Sequence, residues 1–582
     1  MTADHARSLA LLARTEAARG NLAGAAQLMG QAVQADPQQV ETQFRLGLLR
    51  QALGDDAAAL TSFDAALALQ PAAATFNVRG LSLKNLGRVD EALRSYDEAL
   101  RIKPDFFEAL NNRGVTLRLL GRHEEAVTAF GTAVALRPQT AALHNQLGIT
   151  LHQLGRYADA ASAFERVLSL DANAAEAAMN LGLARQELRQ FDVALASFRR
   201  AQAIAPGNLD IEANLGSLLQ ETGELQEAIA CLQRVAQARP EDPQAQMNLA
   251  NALRDAHRFD EALAHYARAL AMAPDDAAIH WNESLCLLTM GDYARGWPKY
   301  EWRWRAPGLG NVMRDPGVPL WTGREPLAGR TILLHPEQGL GDTLHLCRLA
   351  RDVKALGARV VLEVQRPLLE VMKGLEGVDV LLARGDTLPP LDFHCPLLGL
   401  PLALGIRIDN IAQQVPYLHA DPQRMARWGE VIRLEPGLNV GLAWAGNPDY
   451  RLDHRRSIGL AELMAALPQG PRYWSLQKEV RASEASQFAP SGPVRRFEDN
   501  DFADTAAQIM AMDVVLSVET SIAQLSTALG QRTWVLLAAP ADWRWGVHDA
   551  SPWYPTARLF RQRAPGQWEP VMHEVAAALR NS

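Results

Sequence analysis

No tryptophan precedes Trp281 in this chain of 582 residues, although thirteen occur from there on, so the two parts of the molecule cannot be built alike. Cysteine is scarce as well. Cys231, Cys286, Cys347 and Cys395 are the four present, too far apart for metal-ligand spacing or a disulfide framework, and they are expected as buried thiols. There is no excess of positive charge: 58 Lys and Arg stand against 66 Asp and Glu, a formal net charge of −8, which removes the electrostatic case for nucleic acid or an anionic membrane surface. No apolar run approaches the roughly 18 residues of a membrane span. The opening Met1-Thr2-Ala3-Asp4-His5-Ala6-Arg7 lacks an apolar signal core. The expectation is a cytoplasmic protein with no membrane span and several domains of roughly 100 to 200 residues.

What the first half has is a period. Glycine recurs at Gly47, Gly80, Gly114, Gly148, Gly182 and Gly216, and the series continues at Ala250 and Ser284. Proline closes the same units at Pro37, Pro71, Pro104, Pro138, Pro206, Pro240 and Pro274, with Ala172 in the remaining place. Each unit holds two helical patterns joined near a Leu-Gly, as at Leu86-Gly87, and resembles the tetratricopeptide repeat. About nine units are expected over 3–305, as an all-α solenoid whose neighbours bury one another's apolar faces and leave a long concave surface. Two residues before each repeat glycine position stand Asn112, Gln146, Asn180, Asn214, Asn248 and Asn282. A row of amides offers paired donors and acceptors that can clasp the backbone of an extended acceptor; it can equally solvate the inner face or bond a neighbouring turn.

The ninth unit ends in the aromatic run Tyr293, Trp297, Tyr300, Trp302 and Trp304, read as a cap that fastens the array to the next domain. Residues 306–330, dense in glycine and proline, read as a docked linker. Beyond them short apolar strands alternate with helical segments, near 331 to 335, 359 to 364, 378 to 382 and 391 to 395, then near 438 to 444, 472 to 477, 513 to 518, 533 to 538 and 557 to 560, with a last helix from Trp568 to Leu579. This pattern predicts parallel sheets in two nucleotide-fold halves, 331–420 and 421–582, facing across a cleft at the carboxyl ends of the strands.

Candidate chemistry falls in the loops at those ends. Gly339 and Gly341 permit a tight turn before Asp342, which either caps a helix or acts as a base. After the fifth strand come Gly446 and Asn447 and a basic loop with Arg451, His454, Arg455 and Arg456; arginines beside a glycine turn either pair with phosphate or are solvated. Gln477 and Lys478 come after the sixth strand, Lys478 either solvated or a point charge for a phosphate. At Glu519-Thr520-Ser521 a β-branched strand gives way to a helix that runs past Gln524, and its unpaired N–H groups and dipole favour an anion; the plainer reading makes Thr520 or Ser521 an N-cap.

The ordered motifs HPEQGLGDT, VGLAWAGNP, RRSI, SLQKE, SVETS and DWRW resemble the glycosyltransferase domain that follows tetratricopeptide repeats in many bacterial proteins, a domain similar to glycosyltransferase family 9 and of the GT-B type. Array and domain together resemble the bacterial flagellin glycosyltransferases. The resemblance implies an α/β GT-B domain of two Rossmann-like halves, and an inverting, metal-independent transfer to Ser or Thr of a protein acceptor such as flagellin. The donor is a CMP-, ADP- or UDP-linked sugar, and no other cofactor is expected. It implies Asp342 as base, and Gly339, Gly341, Asn447, Arg455, Arg456, Gln477, Lys478, Glu519, Thr520, Ser521 and Gln524 around the donor. Where relatives commonly carry Asp-Thr and a later His, this chain has Glu519-Thr520 and Gln524, and an amide cannot take a proton as histidine does. Two other readings stay open: transfer to a glycan or lipid-linked saccharide, and a non-catalytic repeat scaffold with a degenerate transferase half.

Overall fold

The computed structural model describes residues 3–306, 313–411, 415–434, 436–448, 450, 452–481, 484, 488, 493–497 and 501–581; Arg451 of the basic loop and part of the 306–330 linker lie outside them. The chain divides into two compact units, Met1–Leu218 and Leu219–Ser582.

In the first unit helices pair within each repeat, as Ala73–Asn85 with Val89–Ile102 and Phe107–Leu119 with His123–Leu136. The recurrent glycine has a steric cause. A Cβ on Gly80 would lie 2.5 Å from the Tyr96 ring, and one on Gly114 2.7 Å from Phe130, with the same clash at Gly47, Gly148 and Gly182. An aromatic side chain from the second helix of the repeat therefore lies directly on the backbone of the first, and Phe63, Tyr96, Phe130 and Phe198 are fully buried there. Ring burial at this place contributes more than any helix propensity lost to glycine.

The turn within each repeat imposes a second requirement. Gly54, Gly87, Gly121 and Gly155 all have φ between 72° and 81°, the left-handed conformation that ends a helix without a Cβ penalty. At the corresponding place of the next repeat Arg189 has φ 57°.

The second unit opens with four more repeat helices, Leu225–Ala238, Pro243–Asp255, Phe259–Met272 and Ala277–Met290. The helix Tyr293–Tyr300 and the 3-10 turn Glu301–Trp304 then cover the end of this stack. The aromatic run packs into the sheet region: the Trp297 and Trp543 rings lie 5.2 Å apart, Trp553 Nε1 donates to Tyr293 Oη at 2.9 Å, and Trp297 Nε1 donates to the Ile406 carbonyl at 3.1 Å. Arg303 is fully buried in this cap and holds Glu337 through Nε and Nη2 of its guanidinium. The described part of the linker is docked, since Trp321 is buried and its N–H donates to the His394 carbonyl at 2.8 Å.

Ten strands follow among the described residues. Strands β1 (Thr331–His335), β2 (Arg359–Val364), β3 (Val380–Ala383) and β4 (Phe393–Pro396) form a sheet in the order β3-β2-β1-β4. Strands β5 (Asn439–Ala443), β6 (Arg472–Ser475), β7 (Val494–Arg496), β8 (Val514–Val518), β9 (Thr533–Leu537) and β10 (Arg558–Arg561) form another in the order β10-β9-β8-β5-β6-β7. Every pairing in both is parallel. All residues of β5, β8 and β9 are buried, as in a sheet covered on both faces. Side chains alternate accordingly: Val515 joins a core with Tyr293, Ile332, Val360 and Trp553, while Val514 and Leu516 join another with Trp534, Val571 and Leu579.

Every strand expected from the sequence forms, with ends displaced by up to two residues. Strand β7 is additional. It is three residues long with Arg495 and Arg496 exposed, a charged edge strand with too few apolar residues to announce itself.

The left-handed turns make a stability test. Arg189→Gly is expected to raise the stability of the helical array by about 1 kcal/mol and Gly121→Ala to lower it by about as much, read as urea midpoints in far-UV circular dichroism. Unchanged midpoints for both variants would show that the turn conformation carries no such cost.

Candidate functional site

Strand order decides where a ligand can enter. From β5 the chain winds outward through β6 and β7, then crosses to the other side of β5 to continue with β8, β9 and β10. The loops leaving β5 and β8 therefore part company, and a crevice opens at the carboxyl edge between them. Strand β1, between β2 and β4, makes the same switch in the smaller sheet. Loops after β1, β5, β6, β8 and β9 wall one cavity of about 790 Å3, within the range of pockets that take whole small ligands.

Asp342, Gly339, Gly341, Asn447, Arg456, Gln477, Lys478, Glu519, Thr520, Ser521 and Gln524 all line it. Arg455 does not. It shares the single helical turn Asp453–Arg456 with Arg456, and neighbouring helical residues point about 100° apart, so one turn presents only one of the two arginines to the cavity.

The helix Ser521–Ala528 begins at the cavity wall. Thr520 is its N-cap, Oγ1 accepting from Ile522 N at 3.2 Å. The capping role is thus real for Thr520, while Ser521 in the first turn leaves the positive end of the helix toward the cavity. One turn on, Gln524 is 7% exposed, and among the described residues its Oε1 has no hydrogen-bond partner. A Cβ on Gly341 would lie 3.6 Å from Gln524 and 3.7 Å from the Ser521 Cα, which shows how closely the helix after β1 approaches the helix after β8.

Arg544 organises the opposite wall. It is 8% exposed, lies 4.3 Å over the Trp543 ring, bonds Asp542 through Nη1 at 2.8 and 2.9 Å, and pairs with Asp342 through Nη2. The second Asp342 oxygen accepts from Gly339 N at 3.0 Å. Burial raises the Asp342 pKa, and Arg544 opposes that by favouring the carboxylate. Neither Arg544 nor Asp542 stood out as a site residue in the sequence. The signal was the motif Asp542-Trp543-Arg544-Trp545, in which the aspartate two residues before the arginine orients it.

Several predicted donor residues serve the loops themselves. Glu519 accepts from Asp542 N at 2.9 Å and from Ala538 N at 3.3 Å, and burial raises its pKa to about 7. Gln477 accepts from Trp444 N and Ala445 N at 3.2 Å each and donates to the Ala445 carbonyl at 2.8 Å. Arg456 donates to the Glu519 carbonyl at 3.0 Å. Lys478, half-buried, donates to the Asp501 carbonyl at 3.1 Å and lies 5.2 Å over the Phe502 ring; burial lowers its pKa to about 8. No cluster of three or more His, Cys, Asp or Glu that could hold a metal occurs among the described residues.

The amide row is half-buried and partly used within the repeats. In the first unit Asn112 donates to Asn77 at 2.9 Å and Gln146 accepts from Arg118 at 3.2 Å. Asn180 and Asn214 belong to the same unit. In the second unit Asn248 accepts from Gln244 at 2.6 Å and Asn282 from Arg254 at 3.2 Å. Four of the amides therefore make a hydrogen bond within the repeats.

Tetratricopeptide repeat models match residues 145–208, 214–277 and 247–296, and two further models of the same repeat match 105–173 and 80–121. Among curated proteins, Protein FlbA of Caulobacter vibrioides is 27% identical over 350 residues, 52% of this chain and 55% of FlbA, so the chain spans about half the length of that relative. Among solved structures, the C-terminal part of a TPR repeat-containing protein from Cytophaga hutchinsonii is 16% identical with a TM-score of 0.36, covering 41% of this chain and 98% of its own. A tetratricopeptide repeat protein from Parabacteroides merdae is 17% identical with a TM-score of 0.33, covering 40% and 93%. The N-terminal region of the chain carries tetratricopeptide repeats, and a region of parallel sheets comes after it.

Proposed function

We propose that the sheet region is an inverting, metal-independent glycosyltransferase of the GT-B type, with two Rossmann-like halves, acting in the cytoplasm on Ser or Thr of a protein acceptor such as flagellin that the repeats hold. The observation that carries this reading is the meeting, on one 790 Å3 cavity, of the Ser521 helix start, Lys478 and Arg456 with Asp342.

Their chemistry is complementary to transfer from a nucleotide sugar. The donor phosphate sits at the helix start, where N–H groups and the dipole favour an anion. Lys478 adds a point charge, and Arg456 a second cation. The acceptor hydroxyl oxygen attacks the anomeric carbon while the bond from that carbon to the phosphate oxygen breaks. The nucleotide leaves with the electron pair, the hydroxyl proton passes to Asp342, and the anomeric centre inverts. Arg544 favours the charged form of Asp342 and fixes it in place. Electrostatic stabilisation of the departing phosphate is the largest contribution expected of such a site, about 100- to 1,000-fold for each well-placed donor.

A non-catalytic scaffold is the competing reading. It is favoured by the engagement of both Asp342 oxygens, one by Arg544 and one by Gly339 N.

Incubating the full chain with flagellin and CMP-, ADP- and UDP-sugars is expected to add a sugar mass to flagellin. Asp342→Asn should slow turnover at least about 100-fold and leave nucleotide affinity within about 3-fold. Full turnover by that variant would remove Asp342 as the base, and no mass gain with any donor would favour the scaffold.

Lys478 makes the binding step pH-dependent. Its lowered pKa leaves it charged at pH 7 and neutral above about 8, so nucleotide affinity is expected to fall as pH rises through 8 and beyond. Lys478→Met should bind more weakly at pH 7 with a flatter profile, measured by calorimetry. A wild-type affinity unchanged from pH 7 to pH 9.5 would mean that the lysine does not touch the anion.

A further inference from the structure

The repeats of the first unit sort their charge. First helices of successive repeats, among them Ala73–Asn85, Phe107–Leu119 and Ala141–Gln153, approach one another more closely than the second helices do. Repeats drawn together along one edge must curve, so the first helices line the inner side. On these three helices the only acid is Glu108, and Arg137 pairs with it. The acids stand instead on their second helices, Asp90, Glu91 and Asp97 on one and Glu124 and Glu125 on the next.

Two rows run along the inner side. One residue past each repeat glycine stands an aliphatic side chain, Leu48, Leu81, Val115, Ile149 and Leu183, each half-buried. Three residues further on, Lys84, Arg118 and His152 follow in successive repeats, also half-buried. Residues three apart are neighbours on a helix surface, so the two rows face the same space. Other arginines of these helices are neutralised, Arg79 by Asp64 and Arg113 by Asp97. Those of the row are not. Among the described residues Lys84 has no ion pair, Arg118 donates through Nη2 to the neutral Gln146 amide, and buried Arg118 Nε has no partner. Burial lowers the His152 pKa and Glu187 of the next repeat opposes that, so the charge of the row rests on Lys84 and Arg118.

We infer that the inner side of the first unit is a docking groove for an extended acidic peptide, an inference that rests on the reading that the repeats hold a protein partner. Apolar side chains of the peptide lie on Leu81, Val115 and Ile149, while its carboxylates meet Lys84 and Arg118. Spacing agrees with this. Packed helices lie about 8–10 Å apart and an extended chain rises about 3.3 Å per residue, so roughly every third residue of the peptide comes level with a new repeat. Asn112 and Gln146, on the other flank of the aliphatic row, offer amides to the backbone between. A nucleic acid strand also presents anions, but it would set polar sugars against the aliphatic row.

Fluorescence anisotropy of a labelled short peptide, with aspartate at every third position in an alanine and serine background, tests the groove on the full chain. The aspartate peptide is expected to bind at least about 10-fold more tightly than its lysine counterpart, and less tightly as salt is raised. Lys84→Glu, which breaks no ion pair, and Arg118→Glu should each weaken the aspartate peptide about 5-fold or more and strengthen the lysine peptide, with far-UV circular dichroism unchanged. Equal binding of the two peptides, binding of neither, or tighter binding of oligothymidylate overturns the acidic groove. Flagellin still retained by the full chain in that event leaves the partner-holding reading of the repeats in place, and flagellin lost as well removes that reading too.

Discussion

The buried guanidinium of Arg544 is the contact on which the rest of the cavity depends. It comes from the loop after β9 of the six-stranded sheet and grips Asp342, at the start of the helix after β1 of the four-stranded sheet, while Asp542 takes its other branch. One cation thereby neutralises two carboxylates that would otherwise repel across the opening, and it fixes the two loops against each other. Removing one partner from such a buried arrangement typically costs about 3–5 kcal/mol, because the other charge is left without compensation. The same pairing sets the electrostatics of the cavity. Burial raises the Asp342 pKa, and the arginine opposes that rise by favouring the charged form.

Around this contact the loops are braced by side chains spent on backbone groups. Gln477 ties its loop to the one after β5, and Glu519 ties the loop after β8 to the one after β9. Behind the loop after β1, Glu337 is held by Arg303 of the aromatic cap. The final repeats of the second unit therefore end in a structure whose side chains reach to within two residues of Gly339. Rigid loops of this kind suit a site that must present charge without reorganising when a ligand arrives. Lys478 likewise donates to the Asp501 carbonyl.

The repeats solve a different problem with the same economy of residue types. Glycine under an aromatic ring and glycine in the left-handed turn are both demanded by backbone approach or backbone angle, and they recur because each unit needs them. Where Arg189 and His257 stand in the turn, the geometry is retained at φ 57° and 58°, held by the helices on either side.

Much of this was legible in the order of residues alone. A period of 34 residues carries its own structure, because each unit repeats the same local demand. Buried β-branched runs bounded by glycine mark parallel strands, so β1, β5, β8 and β9 could be read directly. The charged three-residue β7 could not, since its pairing with β6 comes from its neighbour and not from its own side chains. The loops at the strand ends were likewise legible as candidates, because topology sends them to one edge. Their use was not. Only the fold distinguishes Arg456 from Arg455, adjacent in sequence but turned apart by a helical step. Only the fold joins Asp342 to Arg544, 202 residues away, and among the described residues leaves Ser475 Oγ and Gln508 Nε2 without hydrogen-bond partners. Local pattern determines which elements form, whereas charge pairing and unmet hydrogen bonds are decided by residues distant in the chain that meet when the elements pack.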